Sequence, residues 1–261
     1  MIGFIGGGNM AEALIKGISS LGKTSIIVSE PRADRREYIG KTYGVVTTES
    51  NREAAGRANI IILAVKPQNM ADVLDELAGV VTQEKTVVSI AAGITIAYLQ
   101  SRLQTGLLIR VMPNTPALVQ EGMSVLSLCS CLPEKVIAPV RDIFSSIGKV
   151  LTLPEKYMNA VTALSGSGPA FVALFAEAMT ASGEKMGLTY DIASELSIQT
   201  LIGTAKMLET GMPPETLRKM VTSPGGTTAA GVKVFEENGL RELVGQALDA
   251  ARKRAEELAS A

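Results

Sequence analysis

An α/β domain followed by an all-helical one is the fold class that this sequence predicts. Short apolar runs alternate with helix-patterned segments from Ile2 to about Leu153. A glycine cluster follows the first run with no spacer. From Glu155 onward only helical spacing remains, so the expected domains are 1–154 and 155–261.

Ile2-Gly3-Phe4-Ile5 reads as a short buried strand, and Met10, Ala13, Leu14 and Ile18 recur at helical spacing after it. Strand, glycine turn and helix form the context in which a G-x-G-x-x-G/A pattern carries meaning, and Gly6, Gly8 and Ala11 fill its positions. Gly6 permits the tight turn, Gly8 lets a pyrophosphate approach the backbone, and Ala11 lets the helix lie close on the strand. The helix start then presents free N–H groups and a positive dipole end to the phosphates.

The second strand, Ile26-Ile27-Val28-Ser29, ends at Glu30, about where a dinucleotide fold places its ribose-reading residue, roughly 20 residues on. A carboxylate there favours the ribose 2′-hydroxyl of NAD, whereas Arg32 just beyond suits the 2′-phosphate of NADP. Arg35 and Arg36 read equally as a solvated helix start, with Tyr38 and Ile39 turned inward. Val45-Val46 is a short strand, and Asn51 is expected to cap the helix after it.

Ile60–Val65 is apolar throughout, as a central parallel strand buried on both faces requires. It stops at Lys66-Pro67, at the end of the sheet where such folds bind ligands, although a charged rigid turn would look the same. Thr86–Ile90 is the next strand, and the small residues Ala91-Ala92-Gly93 at its end would let a flat ring approach. Leu107–Met112 ends in Pro113-Asn114-Thr115-Pro116, a stiff loop holding two polar groups forward. Gly122–Leu128 and Lys149–Leu153 read as further strands, with a helix over Lys135–Ile147.

In the helical part, Ser165-Gly166-Ser167-Gly168-Pro169 leads into Ala170–Ala176, which is apolar on every face. A small domain could hardly bury such a helix alone, so a second copy is expected against it. Ile198, Leu201, Ile202, Ala205 and Leu208 mark a second helix, closed by Gly211 and two prolines. Another starts after Ser223-Pro224-Gly225-Gly226-Thr227-Thr228 and stops at Asn238-Gly239, and the last carries Leu240, Leu243, Val244, Ala247, Ala251 and Leu258 on one face. Val221–Thr228 combines free glycine backbone, hydroxyls and a helix start. It reads either as a cradle for a carboxylate or as a plain helix cap.

Composition narrows the chemistry. Hydrophobic residues make up 46% and charged residues 20%, a globular profile, and the net charge of −1 argues against nucleic acid as the main partner. There is no His, so a His acid, a Ser-His pair and a His-ligated metal are excluded. Cys129 and Cys131 suit neither a zinc site nor a disulfide framework, and read as two small side chains on one face of a strand. No metal site is expected. The N-terminus lacks a basic leader pattern, and the run at Ile60–Val65 is too short to cross a bilayer, so a soluble cytoplasmic protein is expected.

Taken together, Gly3–Ala11, Ala64-Val65-Lys66-Pro67, Met112–Pro116, Leu164–Ala170 and Thr222–Thr228 make the chain resemble pyrroline-5-carboxylate reductases, the enzymes that complete proline biosynthesis. The resemblance implies a Rossmann-type N-terminal domain and a helical C-terminal dimerisation domain. It implies a homodimer, often within a larger ring, and hydride transfer from NADPH or NADH to the imine carbon of 1-pyrroline-5-carboxylate. It implies that Gly6, Gly8, Asn9 and Met10 hold the pyrophosphate and that Asn51 lies near the adenosine. Ala64, Val65, Lys66, Ala92, Gly93 and Asn114 would follow along the nicotinamide half. Ser223, Gly226, Thr227 and Thr228 would hold the substrate, with Thr228 at the ring nitrogen as donor or relay. Glu30 departs from the small hydroxyl residue that family members often carry, which leaves NADP against NAD open. A 3-hydroxyacid dehydrogenase, which would need a lysine such as Lys185 facing the substrate, and a non-catalytic dinucleotide sensor are the alternatives.

Overall fold

The computed structural model describes residues 1–22, 25–129 and 132–260. The apolar runs pair into one sheet, in the order β3-β2-β1-β4-β5-β6-β7-β8. Its strands are β1 (Ile2–Ile5), β2 (Ile26–Ser29), β3 (Val46–Thr48), β4 (Ile60–Leu63), β5 (Thr86–Ser89), β6 (Leu108–Met112), β7 (Gly122–Leu128) and β8 (Gly148–Thr152). The helices between them are α1 (Asn9–Ser20), α2 (Ala33–Tyr43), α3 (Asn51–Arg57), α4 (Met70–Leu77), α5 (Ile96–Arg102) and α6 (Glu134–Ser145).

Alternate residues of the central strands feed two cores. Phe4, Ile62, Val88 and Ile109 join Leu14 of α1 and Phe144 of α6 on one face. Ile5, Ile61, Leu63 and Val87 join Ala54 of α3, Leu74 of α4 and Leu99 of α5 on the other. Burial on both faces is why β4 reads as an unbroken apolar run. Neighbours are parallel as far as β6, but β7 runs antiparallel to it. The connection from Met112 to Gly122 is too short for a crossover helix and must double back. Gln120, at φ 64°, makes the left-handed step in that reversal. α6 then carries the chain across to β8, which pairs parallel with β7. Cys129 follows β7 and packs against the second core, while Cys131 lies outside the described residues.

Beyond β8 the described chain is helical: α7 (Met158–Val161), a π turn over Thr162–Gly166, α8 (Gly168–Lys185), α9 (Tyr190–Glu209), α10 (Pro214–Met220), α11 (Thr227–Glu237) and α12 (Leu240–Ser260). The compact units do not divide where the strand pattern ends. One comprises 1–167 with 250–261, the other 168–249. Side-chain anchors account for residues 155–167 joining the sheet. Glu155 accepts from Ile96 N–H at 2.9 Å and from the buried Arg110 guanidinium at 3.1 Å. Asn114 Nδ2 donates to the Ser165 carbonyl at 3.1 Å.

The second unit buries little. Thr180, Gly183, Ala193, Ser197 and Leu217 are its buried residues in the helices α8 to α10, while Phe171, Val172, Leu174 and Phe175 on α8 are exposed in a single chain. By length and composition alone, Glu155–Lys185 is long and apolar enough to cross a bilayer.

Candidate active site

At the end of β1 the chain must turn sharply. Gly6 does so at φ +97°, and a Cβ there would stand 2.7 Å from the Ala64 carbonyl oxygen. Its N–H donates to the Ser29 carbonyl at 2.8 Å, and Ala64 N–H donates to the Ile5 carbonyl at 2.8 Å. The glycine turn is thereby wedged between the ends of β2 and β4, where the strand order reverses and open α/β sheets bind ligands. Gly8 is the N-cap of α1 and offers no side chain to its first N–H groups; nothing lies within 4 Å of where its Cβ would be. Gly8 and Asn9 are exposed, and Met10 is half-buried. An uncapped helix start with open space before it fits a pyrophosphate.

Glu30 is buried and already engaged. Its Oε2 accepts from Gly7 N–H at 3.0 Å, and its Oε1 accepts from both Arg32 N–H and Arg32 Nε at 3.2 Å. The two residues read as opposed ribose partners are therefore an ion pair, with Arg32 62% exposed at its side chain. Arg36 is not a solvated helix start: it donates to the Glu30 and Pro31 carbonyls at 2.8 and 2.7 Å. Arg35 is also held, by Gly7 and Glu12. Tyr38, expected inward, is exposed and reaches back to Glu12 through its hydroxyl.

Asn51 does not cap α3. Ser50 does, accepting from Glu53 N–H at 3.2 Å, because the side chain that can reach that amide belongs to the residue before the first turn. Asn51 Oδ1 instead accepts from Ser29 Oγ at 2.6 Å and its Nδ2 donates to Glu76 at 2.7 Å, which keeps it beside the end of β2.

Ala64, Val65 and Lys66 follow β4 directly; Val65 Cγ1 would stand 3.1 Å from a Cβ on Gly6, and Lys66 is exposed. Ala92 is half-buried. At Gly93 a Cβ would stand 2.7 Å from the Leu258 carbonyl oxygen, so α12 of the same chain approaches this position closely. Asn114 acts as a strut. Besides its bond to Ser165 it accepts from Met123 N–H at 2.8 Å, joining the proline-bracketed loop to β7 and to the π turn. A π turn is often found at functional sites.

The Ser223–Thr228 turn lies in the other unit. Gly225 takes φ +71° and Gly226 is the N-cap of α11, with no side-chain cap. Gly226 N–H donates to the Ser223 carbonyl at 3.0 Å, and a Cβ on Gly226 would stand 2.5 Å from Ser223 Oγ. The glycine is what lets the serine hydroxyl lie over the helix start. Ser223 and Thr227 are exposed, Thr228 half-buried. Lys185, the lysine that a 3-hydroxyacid dehydrogenase would require, is exposed in the last turn of α8.

Residues 155–258 match the family model described as pyrroline-5-carboxylate reductase dimerisation, and residues 1–93 match that of coenzyme F420-dependent NADP oxidoreductases. The pyrroline-5-carboxylate reductase of Pseudomonas aeruginosa is 44% identical over 99% of this chain and 96% of its own length. The chain belongs to the pyrroline-5-carboxylate reductase family. A solved reductase of this family from Coxiella burnetii superposes with a TM-score of 0.91 at 38% identity, covering 98% of this chain and 97% of that one. One from Plasmodium falciparum with NADP bound gives 0.89 at 32% identity, covering 99% and 97%.

Proposed function

We propose that this protein reduces 1-pyrroline-5-carboxylate to L-proline with NADPH or NADH, as a cytoplasmic homodimer that assembles into a ring. The observation that carries the reading is the likeness to reductases of that name over nearly the full chain, spanning both the glycine turn and the Ser223–Thr228 turn. A dimer partner would also cover the apolar surface of Glu155–Lys185 without any membrane.

When bound, the reduced nicotinamide supplies a hydride for the imine carbon. The chain supplies position. The α1 start and Gly8 hold the pyrophosphate, and the α11 start with Ser223, Gly226 and Thr227 holds the substrate carboxylate. Thr228 meets the ring nitrogen through its hydroxyl. The absence of His agrees with this chemistry, because an imine takes its proton from water and is already electrophilic once protonated.

The test is oxidation of NADPH and of NADH by purified protein with pyrroline-5-carboxylate, run beside 3-hydroxy acids in the reverse direction. Turnover of the imine alone is expected. Turnover of a 3-hydroxy acid would favour a dehydrogenase, and dinucleotide binding with no turnover of either would favour a sensor.

A further inference from the structure

We propose that Arg35 is a positioning residue for the dinucleotide: it fixes the glycine turn through the Gly7 carbonyl while touching no atom of the cofactor. The inference rests on the dinucleotide reading above. Three successive glycines would leave a turn free to adopt many conformations, and each must be given up when an anion is gripped. Here the middle one is held at both polar groups. Gly7 N–H donates to Glu30 Oε2 at 3.0 Å, and the Gly7 carbonyl accepts from Arg35 Nε at 2.7 Å.

Arg35 is itself immobilised. Its other face donates to Glu12 Oε2 at 2.5 Å, and the guanidinium lies 5.2 Å from the centre of the Tyr38 ring. Glu12 Oε1 in turn accepts from the hydroxyls of Tyr38 at 2.9 Å and Tyr43 at 2.8 Å. Glu12 sits in the first turn of α1, so one arginine ties the turn to the helix whose N–H groups meet the pyrophosphate. The Arg35 side chain is only 15% exposed and its charge is matched by Glu12, in contrast to the mostly exposed Arg32. Arg35 therefore acts on the part of the cofactor that NADPH and NADH share.

The experiment measures binding of NADPH and of NADH to the full-length protein by nicotinamide fluorescence, without substrate, for the wild type, Arg35→Met and Glu12→Gln. Arg35→Met should weaken both cofactors by the same factor, roughly tenfold for one charge-assisted bond. KM for the imine and kcat at saturating cofactor should stay at wild-type values. Glu12→Gln, which leaves the arginine but loosens its anchor, should weaken both in the same ratio by less, and it decides the matter if Arg35→Met does not fold. A loss confined to NADPH would overturn the proposal by showing that Arg35 meets the 2′-phosphate directly. A lowered melting temperature with unchanged affinities would overturn it by leaving only a structural role. Failure of the wild type to bind either dinucleotide would instead sink the cofactor reading itself.

Discussion

Thr228 is half-buried in the first turn of α11, beside an uncapped helix start. Thr228→Ala removes its hydroxyl and leaves the backbone cradle. If the hydroxyl only positions a substrate that arrives protonated, kcat/KM should fall by roughly tenfold or less, the worth of one hydrogen bond of about 0.5–1.5 kcal/mol. A proton relay would instead lose ~10²–10⁴ in kcat and alter the alkaline limb of the pH profile. The smaller loss is expected, since no strong acid stands in the motif. Arg32 is the residue on which we propose that cofactor choice turns. Its Nε is spent on Glu30 and its side chain is mostly exposed, which suits a 2′-phosphate. Wild-type kcat/KM should be within about tenfold for NADPH and NADH, a margin of roughly 1.4 kcal/mol. Arg32→Ala should lower the NADPH value about tenfold relative to NADH, and an unchanged ratio would remove Arg32 from the ribose site. Glu30→Ser is a poorer probe, because it also releases the buried Gly7 N–H. The Glu12 cluster predicts a pH effect. Burial, and after it the hydrogen bond to Glu12, pushes the Tyr43 phenol up to about 12 from 10.0. A raised folded value means stability that is present below pH 10 and lost as pH rises toward 12. Urea midpoints of Tyr43→Phe should fall less across that window than those of the wild type; parallel curves would refute the coupling. Burial raises the Glu12 carboxyl, but bonds from Arg35, Tyr43 and Tyr38 outweigh it and leave it below the ordinary carboxylate value. None of this cluster was legible in the sequence. Arg35 and Glu12 are distant along the chain and meet only because β2 lies beside β1.

At the scale of elements, the α1–α6 contact shows how a local preference can be overruled. Gly17 lies inside α1, where Ala would gain about 1 kcal/mol in helix propensity. A Cβ there would stand 2.8 Å from Ile147 Cγ2, 2.9 Å from the Ser146 carbonyl oxygen, and closer still to Ser146 Oγ. The carbonyl belongs to backbone that cannot swing aside, and overpacking of this kind costs about 1–3 kcal/mol. Gly17→Ala should therefore lower the urea midpoint. A higher midpoint would mean that α1 has room to shift. The strands were legible because two-sided burial makes apolar runs, and the glycine turn because its spacing is dictated by close approach to the sheet. The antiparallel β7 was also readable in principle, since the short connection from Met112 to Gly122 leaves no room for a crossover helix. The Asn114–Ser165 strut was hidden for the same reason as the Glu12 cluster: two separate motifs, each visible alone, meet through tertiary packing. Asn51 shows the converse, a polar residue whose expected capping role is taken by its neighbour Ser50 while its own side chain meets Ser29.

For the whole molecule, the two units differ in what they can bury alone. The sheet unit has two cores filled from both faces. Among the described residues the helical unit has none of comparable extent, and its α8 leaves Leu174, 64% exposed, and Phe175, 41% exposed, uncovered in a single chain. Apolar burial stabilises by roughly 25 cal/mol per Å², so a helix apolar on every face is stable only when a second copy covers it. Folding and association should then be one event, with no folded monomer at micromolar concentration and a melting temperature that rises with protein concentration. Phe175 is the sharpest probe. Its ring lies 6.4 Å from that of Phe235 within the chain, yet the residue stays exposed. Phe175→Glu would place an unpaired carboxylate in the covered face, at a cost that a marginal domain cannot absorb. Light scattering should find unfolded or aggregated protein. A well-folded, active monomer from that variant would show that the helical unit stands alone, and would overturn the obligate dimer.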